Sequence, residues 1–455
     1  MNVLLRRPRQ ATVPVGEFVA SRLESRLSRE ATGSFVLKVS ATFLSLIQGL
    51  ILARWLGAAG YGAFTYALSW IALLGIPAVL GLQQLLIRDT AAYLARSAWG
   101  SINGLLRWAN RTVLIVSLSI AFLAAGAAVL LTEESDQILI TFGLALFILP
   151  LTSLTTLRQA AMQGLQHVVV SQLPDMLIRP TLFIALLGGA HLFLGAGLIA
   201  PWAMGLYVAA ASVALVFGTH MLRRTLPRAA AEAPPEYDTR TWVKSALPLL
   251  FIGGMFVVYE RTSILLLGTI KGAELVGLYT VAFRVAQLVT FALSAVNVAL
   301  GPDVSSLHAQ GRTRQLQRVV TGFAWVNLLW SLSVSAVLIV FGHWILLLFG
   351  EEFALAQTAL TILSVGQLMN GAMGSASLLL VMTGHERDAA VGLGISAVLN
   401  IILNALLIPR WGLEGAAVAT ASSMIAWNLL LAVLVYIRLR IHSTILGTVN
   451  SLGQP

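Results

Sequence analysis

Apolar stretches of bilayer-crossing length recur along this chain from residue 34 to residue 437, parted by short polar or charged breaks. About 20 apolar residues rising about 1.5 Å each cross a hydrocarbon core of about 30 Å. By that measure the pattern predicts twelve spans, over 34–55, 63–86, 108–131, 137–157, 175–194, 197–220, 244–268, 277–300, 319–341, 356–381, 389–408 and 413–437. Short segments of strict alternation, the mark of a membrane β-barrel, are absent. The fold class is therefore an all-α integral membrane protein. Pro150, Pro174 and Pro180 interrupt or end the fourth and fifth spans. A membrane helix tolerates such breaks where neighbours satisfy the freed carbonyl.

Composition agrees: 58% of the 455 residues are hydrophobic, 11% are charged, and the mean hydropathy is +0.85. Soluble proteins carry roughly 25% charged residues. With no cysteine, disulfides, thiolate metal sites and cysteine nucleophiles are excluded. The net charge of +10 would fit a nucleic-acid binder, but its distribution excludes that reading. Most of the 29 Lys and Arg fall in the termini and the even-numbered loops. The odd-numbered loops hold Arg54, Lys271 and Arg410, together with acids such as Glu133, Glu134, Asp136, Glu351 and Glu352. This is the positive-inside distribution, and it predicts both termini in the cytoplasm. The segment 1–30 is basic and lacks an apolar signal-peptide core. Val15, Phe18, Val19, Leu23 and Leu27 recur there at helical spacing, consistent with a short surface helix or with a frayed tail.

A polar, proline-containing stretch over 223–243 divides the chain into segments 31–222 and 244–437, with a basic tail over 438–455. Six spans per half give both halves the same orientation, so a repeat between them is parallel. Weak self-similarity supports one. Gly62-Ala63-Phe64-Thr65-Tyr66-Ala67 echoes Gly277-Leu278-Tyr279-Thr280-Val281-Ala282, and Met162-Gln163-Gly164-Leu165-Gln166 echoes Met382-Thr383-Gly384-His385-Glu386, at nearly the same offset.

Three charged residues lie well inside the second half's first two spans. A charge at mid-membrane costs roughly 2.5–3.5 kcal/mol on insertion scales, so such residues face a cavity or a partner. Glu260 is a candidate ion or proton site, or a counter-ion for Arg284. Arg284 is a candidate for bidentate binding of phosphate oxygens. Arg261 is adjacent to Glu260 and so points about 100° away from it; it either faces the cavity or snorkels to the interface. Lys38, Arg54 and Arg88 sit near span ends, where interface anchoring competes with a ligand role. Asn400 and Asn404 share one helix face and read as an interhelical hydrogen bond or as cavity residues. No P-loop, HExxH, GxSxG or dinucleotide fingerprint is present, and the histidines have no metal-ligand spacing. No cofactor, metal or catalytic residue is expected.

The chain resembles the polysaccharide-unit flippases, the Wzx-type O-antigen and exopolysaccharide exporters. These share a superfamily with multidrug and toxic-compound exporters and peptidoglycan-precursor flippases. The resemblance rests on Leu52-Ala53-Arg54-Trp55-Leu56-Gly57 with Gly60-Tyr61-Gly62, and on Val276-Gly277-Leu278-Tyr279 with Ala282-Phe283-Arg284. It extends through Leu348-Phe349-Gly350-Glu351-Glu352-Phe353, Gly384-His385-Glu386, and Asn400 and Asn404 followed by Leu407-Ile408-Pro409-Arg410-Trp411-Gly412-Leu413-Glu414-Gly415. It implies two parallel six-helix bundles around a central cavity that alternates its opening. The substrate it implies is an oligosaccharide on a polyprenyl diphosphate, moved from the inner to the outer leaflet of the cell membrane. The implied partners are this substrate, membrane lipids, a polysaccharide polymerase and glycosyltransferases. In the seventh span, where the family usually has Asp, this chain has Glu260. Competing readings are an ion-coupled small-molecule exporter, which needs a carboxylate cluster, and a membrane-embedded glycosyltransferase or polymerase, which needs long outer loops.

Overall fold

A computed structural model describes residues 15–131, 136–194 and 198–444. The chain before residue 15, the acids Glu133 and Glu134, and the end of the basic tail lie outside these ranges. In chain order the helices are α1 (Val15–Val79), α2 (Leu82–Ala95), α3 (Trp99–Leu131), α4 (Asp136–Leu146), α5 (Ile148–Gly164), α6 (Val168–Leu173), α7 (Arg179–Leu194) and α8 (Ala200–Thr225). There follow α9 (Arg228–Glu232), α10 (Thr239–Lys271), α11 (Ala273–Ala286), α12 (Phe291–Ala309), α13 (Thr313–Leu347), α14 (Gln357–Met373), α15 (Ala376–Met382) and α16 (Glu386–Leu439).

Among the described residues nine helices are long and apolar enough to cross a membrane, or ten if the bent pair Glu351–Met373 and Ala376–Met382 is one crossing. Two of the nine, Gly33–Val79 and Glu386–Leu439, have 47 and 54 residues, about twice one crossing. Each contains one non-helical glycine: Gly57 at φ 66°, ψ 179° and Gly412 at φ 51°, ψ −119°. The backbone of Gly57 lies in a region open essentially to glycine alone. Twelve crossings are reached only by reading both runs as helix pairs. The surface helix expected near the N-terminus is no separate element; helix runs from Val15 into the first span. Large apolar side chains such as Phe122, Leu192, Val216 and Trp344 are exposed, as a lipid-facing surface requires.

Two turns in each half end a helix in the same way. Ser97, Gln166, Gly311 and Gly384 have φ of 55°, 66°, 68° and 81°. The next residue's N–H reaches back across each helix end: Ala98 to Tyr93 O (2.9 Å), His167 to Met162 O (2.9 Å), Arg312 to Leu307 O (3.0 Å) and His385 to Leu380 O (2.8 Å). These are Schellman caps. They correct the register of the second echo: the left-handed partner of Gly384 is Gln166, two residues beyond the Gly164 that the sequence match selects.

The polar stretch between the halves is strapped to α3. Glu236 N–H donates to Gly100 O (3.0 Å), Ser101 Oγ to Glu236 Oε2 (2.9 Å), and Asn103 Nδ2 to Ala233 O (2.7 Å). Trp242, fully buried, packs against Trp108 with the rings tilted by 40° and donates its indole N–H to Tyr93 OH (3.1 Å).

Candidate functional site

At one end of the molecule the two halves meet tightly. A Cβ on Gly62 would overlap the carbonyl oxygen of Ala273, and a Cβ on Gly277 would overlap that of Ala58. Gly62 is separated from Gly277 by the same interval as Ala58 from Ala273, so the two contacts are reciprocal, as between symmetry-related segments. They coincide with the first sequence echo. Backbones approach this closely only where side chains are missing. Tyr61, Phe64, Val276 and Phe353 are buried around the crossing. Glu352 Oε2 accepts a hydrogen bond from Ala58 N–H (2.8 Å), capping the helix that restarts after Gly57.

Beyond this seal a cavity of about 650 Å³ opens between the halves, within the range of small-ligand sites. It runs from Thr65 and Thr280 to Gly81 and Gln84, the latter exposed. Its lining includes three arginines, Arg179, Arg261 and Arg284, against one acid, Asp175. The other polar lining groups are neutral amides and hydroxyls, among them Gln48, Thr65, Ser69, Gln83, Thr152 and Ser153. Arg284 reaches from α11 to α1 and donates Nη1–H to Ser45 O (2.7 Å). Gly49 leaves the space, since any Cβ there would overlap the guanidinium. Arg261, on α10, has a buried Nε with no hydrogen-bond partner. Arg179 pairs with Asp175 (3.0 Å) and lies 5.5 Å from the Tyr207 ring centroid.

A second cavity of about 320 Å³ is lined mostly by the second half, with Thr42 of α1 at its edge. Glu260, Tyr259, Tyr279, Asn370 and Trp427 line it. Thr420 Oγ1 bonds to both Ser263 Oγ and Tyr279 OH (each 2.8 Å) in a buried chain of hydroxyls. Tyr259 OH and Trp427 Nε1 are buried without a hydrogen-bond partner. A lone carboxylate with hydroxyls and an amide can take up a proton or a monovalent cation. No group of three or more His, Cys, Asp or Glu is placed to hold a metal ion among the described residues.

The sequence candidates separate accordingly. Arg284 and Arg261 share the larger cavity, while Glu260 lines the smaller one. The 100° divergence of neighbouring helix residues lets Glu260 and Arg261 face different cavities from α10. No ion pair joins Glu260 to Arg284 among the described residues; the guanidinium is turned onto Ser45 instead. Lys38, Arg54 and Arg88 are exposed, line neither cavity, and Arg88 pairs with Asp89 (2.7 Å). Asn400 and Asn404 are fully buried and also line neither: Asn404 Nδ2 donates to Asn400 Oδ1 (3.1 Å) and Asn400 Nδ2 to Ser423 Oγ (2.9 Å). Sequence reasoning passed over Arg179, Asp175 and Tyr207. The available signal was an acid and a base four residues apart between Pro174 and Pro180, at the start of an expected span.

A family model described as polysaccharide biosynthesis protein matches residues 28–308, and one described as MatE matches 248–406. A probable low-salt glycan biosynthesis flippase of Haloferax volcanii is 24% identical over 406 residues, covering 87% of this chain and 81% of that protein. Among solved structures, an inward-facing multidrug resistance MATE family transporter superposes with TM-score 0.72 at 13% identity, over 88% of this chain and 94% of that one. The lipid II flippase MurJ in an inward closed conformation superposes with TM-score 0.63 at 15% identity, over 88% and 87%. The family match spans more than half the chain, and the solved structures share its fold. The chain therefore belongs to the polysaccharide biosynthesis protein family.

Proposed function

We propose that this protein flips polyprenyl-diphosphate-linked oligosaccharides from the inner to the outer leaflet by alternating access, supplying O-antigen or exopolysaccharide synthesis. The observation that carries this reading is the lining of the larger cavity: three arginines against one aspartate, among neutral amides and hydroxyls. A diphosphate diester, ionised once on each phosphate, matches that charge balance, and arginine forks bind phosphate oxygens bidentately. Neutral hydrogen-bonding groups suit a sugar. The related glycan biosynthesis flippase adds support, being similar over most of both chains. The same lining disfavours a small-molecule cation exporter, because the one acid in the cavity is already paired with Arg179.

The basic residues expected in the cytoplasm, such as Arg96, Arg223, Arg312 and Arg387, lie in turns or helix ends away from the Gly62–Gly277 seal. With the positive-inside orientation, the seal is outward and the cavity opens inward. Glu260 and its hydroxyl neighbours are the proposed ion-coupling site. A polymerase and glycosyltransferases are the proposed partners.

The test is export in a deletion strain complemented with Arg284→Ala or Arg261→Ala. Loss of surface polysaccharide, with lipid-linked units held on the inner leaflet and the protein inserted at wild-type level, is the expected result. Normal export by both variants would refute the cationic-cavity reading.

A further inference from the structure

Among the described residues, Arg179 alone of the three cavity arginines is paired with a carboxylate. The local backbone explains how. Pro180 has no N–H, and the helix passes through a π-turn at Pro174–Ile178, where Arg179 N–H bonds to Pro174 O. Asp175 and Arg179 stand one turn apart on the cavity side, each with a side chain about a quarter exposed (24%). Tyr207 lies beside the guanidinium and also lines the cavity, so Asp175 and Tyr207 together fix its position. Among the described residues, Arg284 is held by one backbone carbonyl and Arg261 Nε by no hydrogen bond.

We propose that Asp175 is a built-in competitor for the substrate's diphosphate. It occupies Arg179 before substrate arrives and is displaced when a phosphate oxygen takes its place. A carboxylate and a phosphate present similar oxygen pairs to an arginine fork, so the exchange needs no rearrangement of Arg179. A site of three unpaired arginines would hold a diphosphate too firmly to release it. A carboxylate tethered beside one of them restores a partner to that arginine as the lipid leaves. Asp175 is thus a specificity and release residue, and it acts through Arg179 without touching the sugar.

This inference rests on the diphosphate reading above, and one experiment separates the two. The purified full chain is titrated with farnesyl diphosphate, with inorganic pyrophosphate and farnesol as the charge-only and lipid-only controls. Asp175→Asn, which keeps shape but removes charge, should bind farnesyl diphosphate about tenfold tighter than wild type, the scale of one close ion pair freed from competition. It should also flip substrate more slowly. Arg179→Ala should bind more weakly than wild type. Equal or weaker binding by Asp175→Asn would overturn the competitor role and make Asp175 a mere support for Arg179. Asp175→Ser answers the same question should the amide variant fail to insert. No binding of farnesyl diphosphate by wild type or Asp175→Asn would instead overturn the diphosphate reading itself. Equal tightening toward inorganic pyrophosphate would show that the group recognised is the diphosphate and not the lipid.

Discussion

Glu352 offers the sharpest test of the seal between the halves. It sits on the short turn Glu351–Ala356 that precedes α14, in the second half, yet it caps the helix restarting at Ala58 in the first. Gly57 ends the preceding helix with a backbone that leaves Ala58 N–H without an intrahelical acceptor, and the Glu352 carboxylate supplies one at 2.8 Å. A carboxylate at a helix N-terminus satisfies an orphan donor and favours the helix dipole; its removal typically costs about 0.5–2 kcal/mol. Glu352 is exposed, so we take about 1 kcal/mol as the expected loss for Glu352→Ala. On the alternating-access reading the bond exists only while this end is closed, so the loss would fall on the closed state alone. That shifts the balance toward opening about fivefold. The chain has no cysteine, so the wild-type sequence is itself the background for site-directed labelling. A single cysteine at Ser69, a buried residue lining the larger cavity, would react with a membrane-impermeant maleimide from outside only when the seal opens. Glu352→Ala should raise that labelling rate about fivefold, and Glu352→Gln by less, since the amide keeps an acceptor. An unchanged rate in Glu352→Ala at wild-type abundance would refute the reasoning.

Gly277→Ala and Gly62→Ala should each raise the same labelling rate more than Glu352→Ala, since backbone must part from backbone; overpacking costs about 1–3 kcal/mol. Because both press on one crossing, the double variant should fall short of the sum, read in the same assay. Glu260→Gln should abolish any dependence of export on an imposed ion gradient while leaving binding of a diphosphate lipid intact; export that still follows the gradient would remove Glu260 from coupling. Gln166→Gly should raise thermal stability in detergent by about 1 kcal/mol, because a left-handed residue with a side chain is strained by that order. Gly384→Ala, at the matching turn, should lower it by a similar amount.

The all-α, many-span architecture was legible because hydrocarbon thickness imposes a length on every span. Gly62 and Gly277 were legible as an echo, but their meaning was not. Sequence similarity reports that two segments correspond; only three dimensions show that each glycine admits the other segment's backbone. The cavity was half-legible. Arg261 and Arg284 stood out because charge is rare mid-span. Asp175 and Arg179 escaped because charges near a span end are ordinary, and only the π-turn and Tyr207 reveal that they point into the cavity. Lys38, Arg54 and Arg88 show the converse: a cation near a span end does not state which way it faces. Glu260 and Arg284 form no ion pair because Glu260 lines the smaller cavity while Arg284 lines the larger one and bonds across to Ser45 O.

The strap between the halves bears on where such a molecule can bend. A free linker would let the second half swing from residue 223 onward. Instead Glu236 and Asn103 tie the linker to α3, and Trp242 is buried among Leu82, Leu85, Leu105 and Ala109. A buried tryptophan holding a hydrogen bond to Tyr93 costs several kcal/mol to extract, roughly 3–5 for truncation alone. The first turns of α10 therefore travel with the first half, although they belong to the second half in sequence. At Gly81 (φ 70°) the two halves also touch backbone to backbone, a Cβ there lying 2.5 Å from Ala246 O and Leu250 N. Pro248 falls inside this contact and frees a carbonyl one turn earlier, which makes it the weakest point of α10. On the alternating-access reading proposed above, opening at the Gly62–Gly277 end would bend α10 near Pro248 while Trp242 stays seated. Pro248→Ala should stiffen that bend and slow export without altering diphosphate binding, whereas Trp242→Ala should lower stability. Export at the wild-type rate by Pro248→Ala would move the hinge elsewhere.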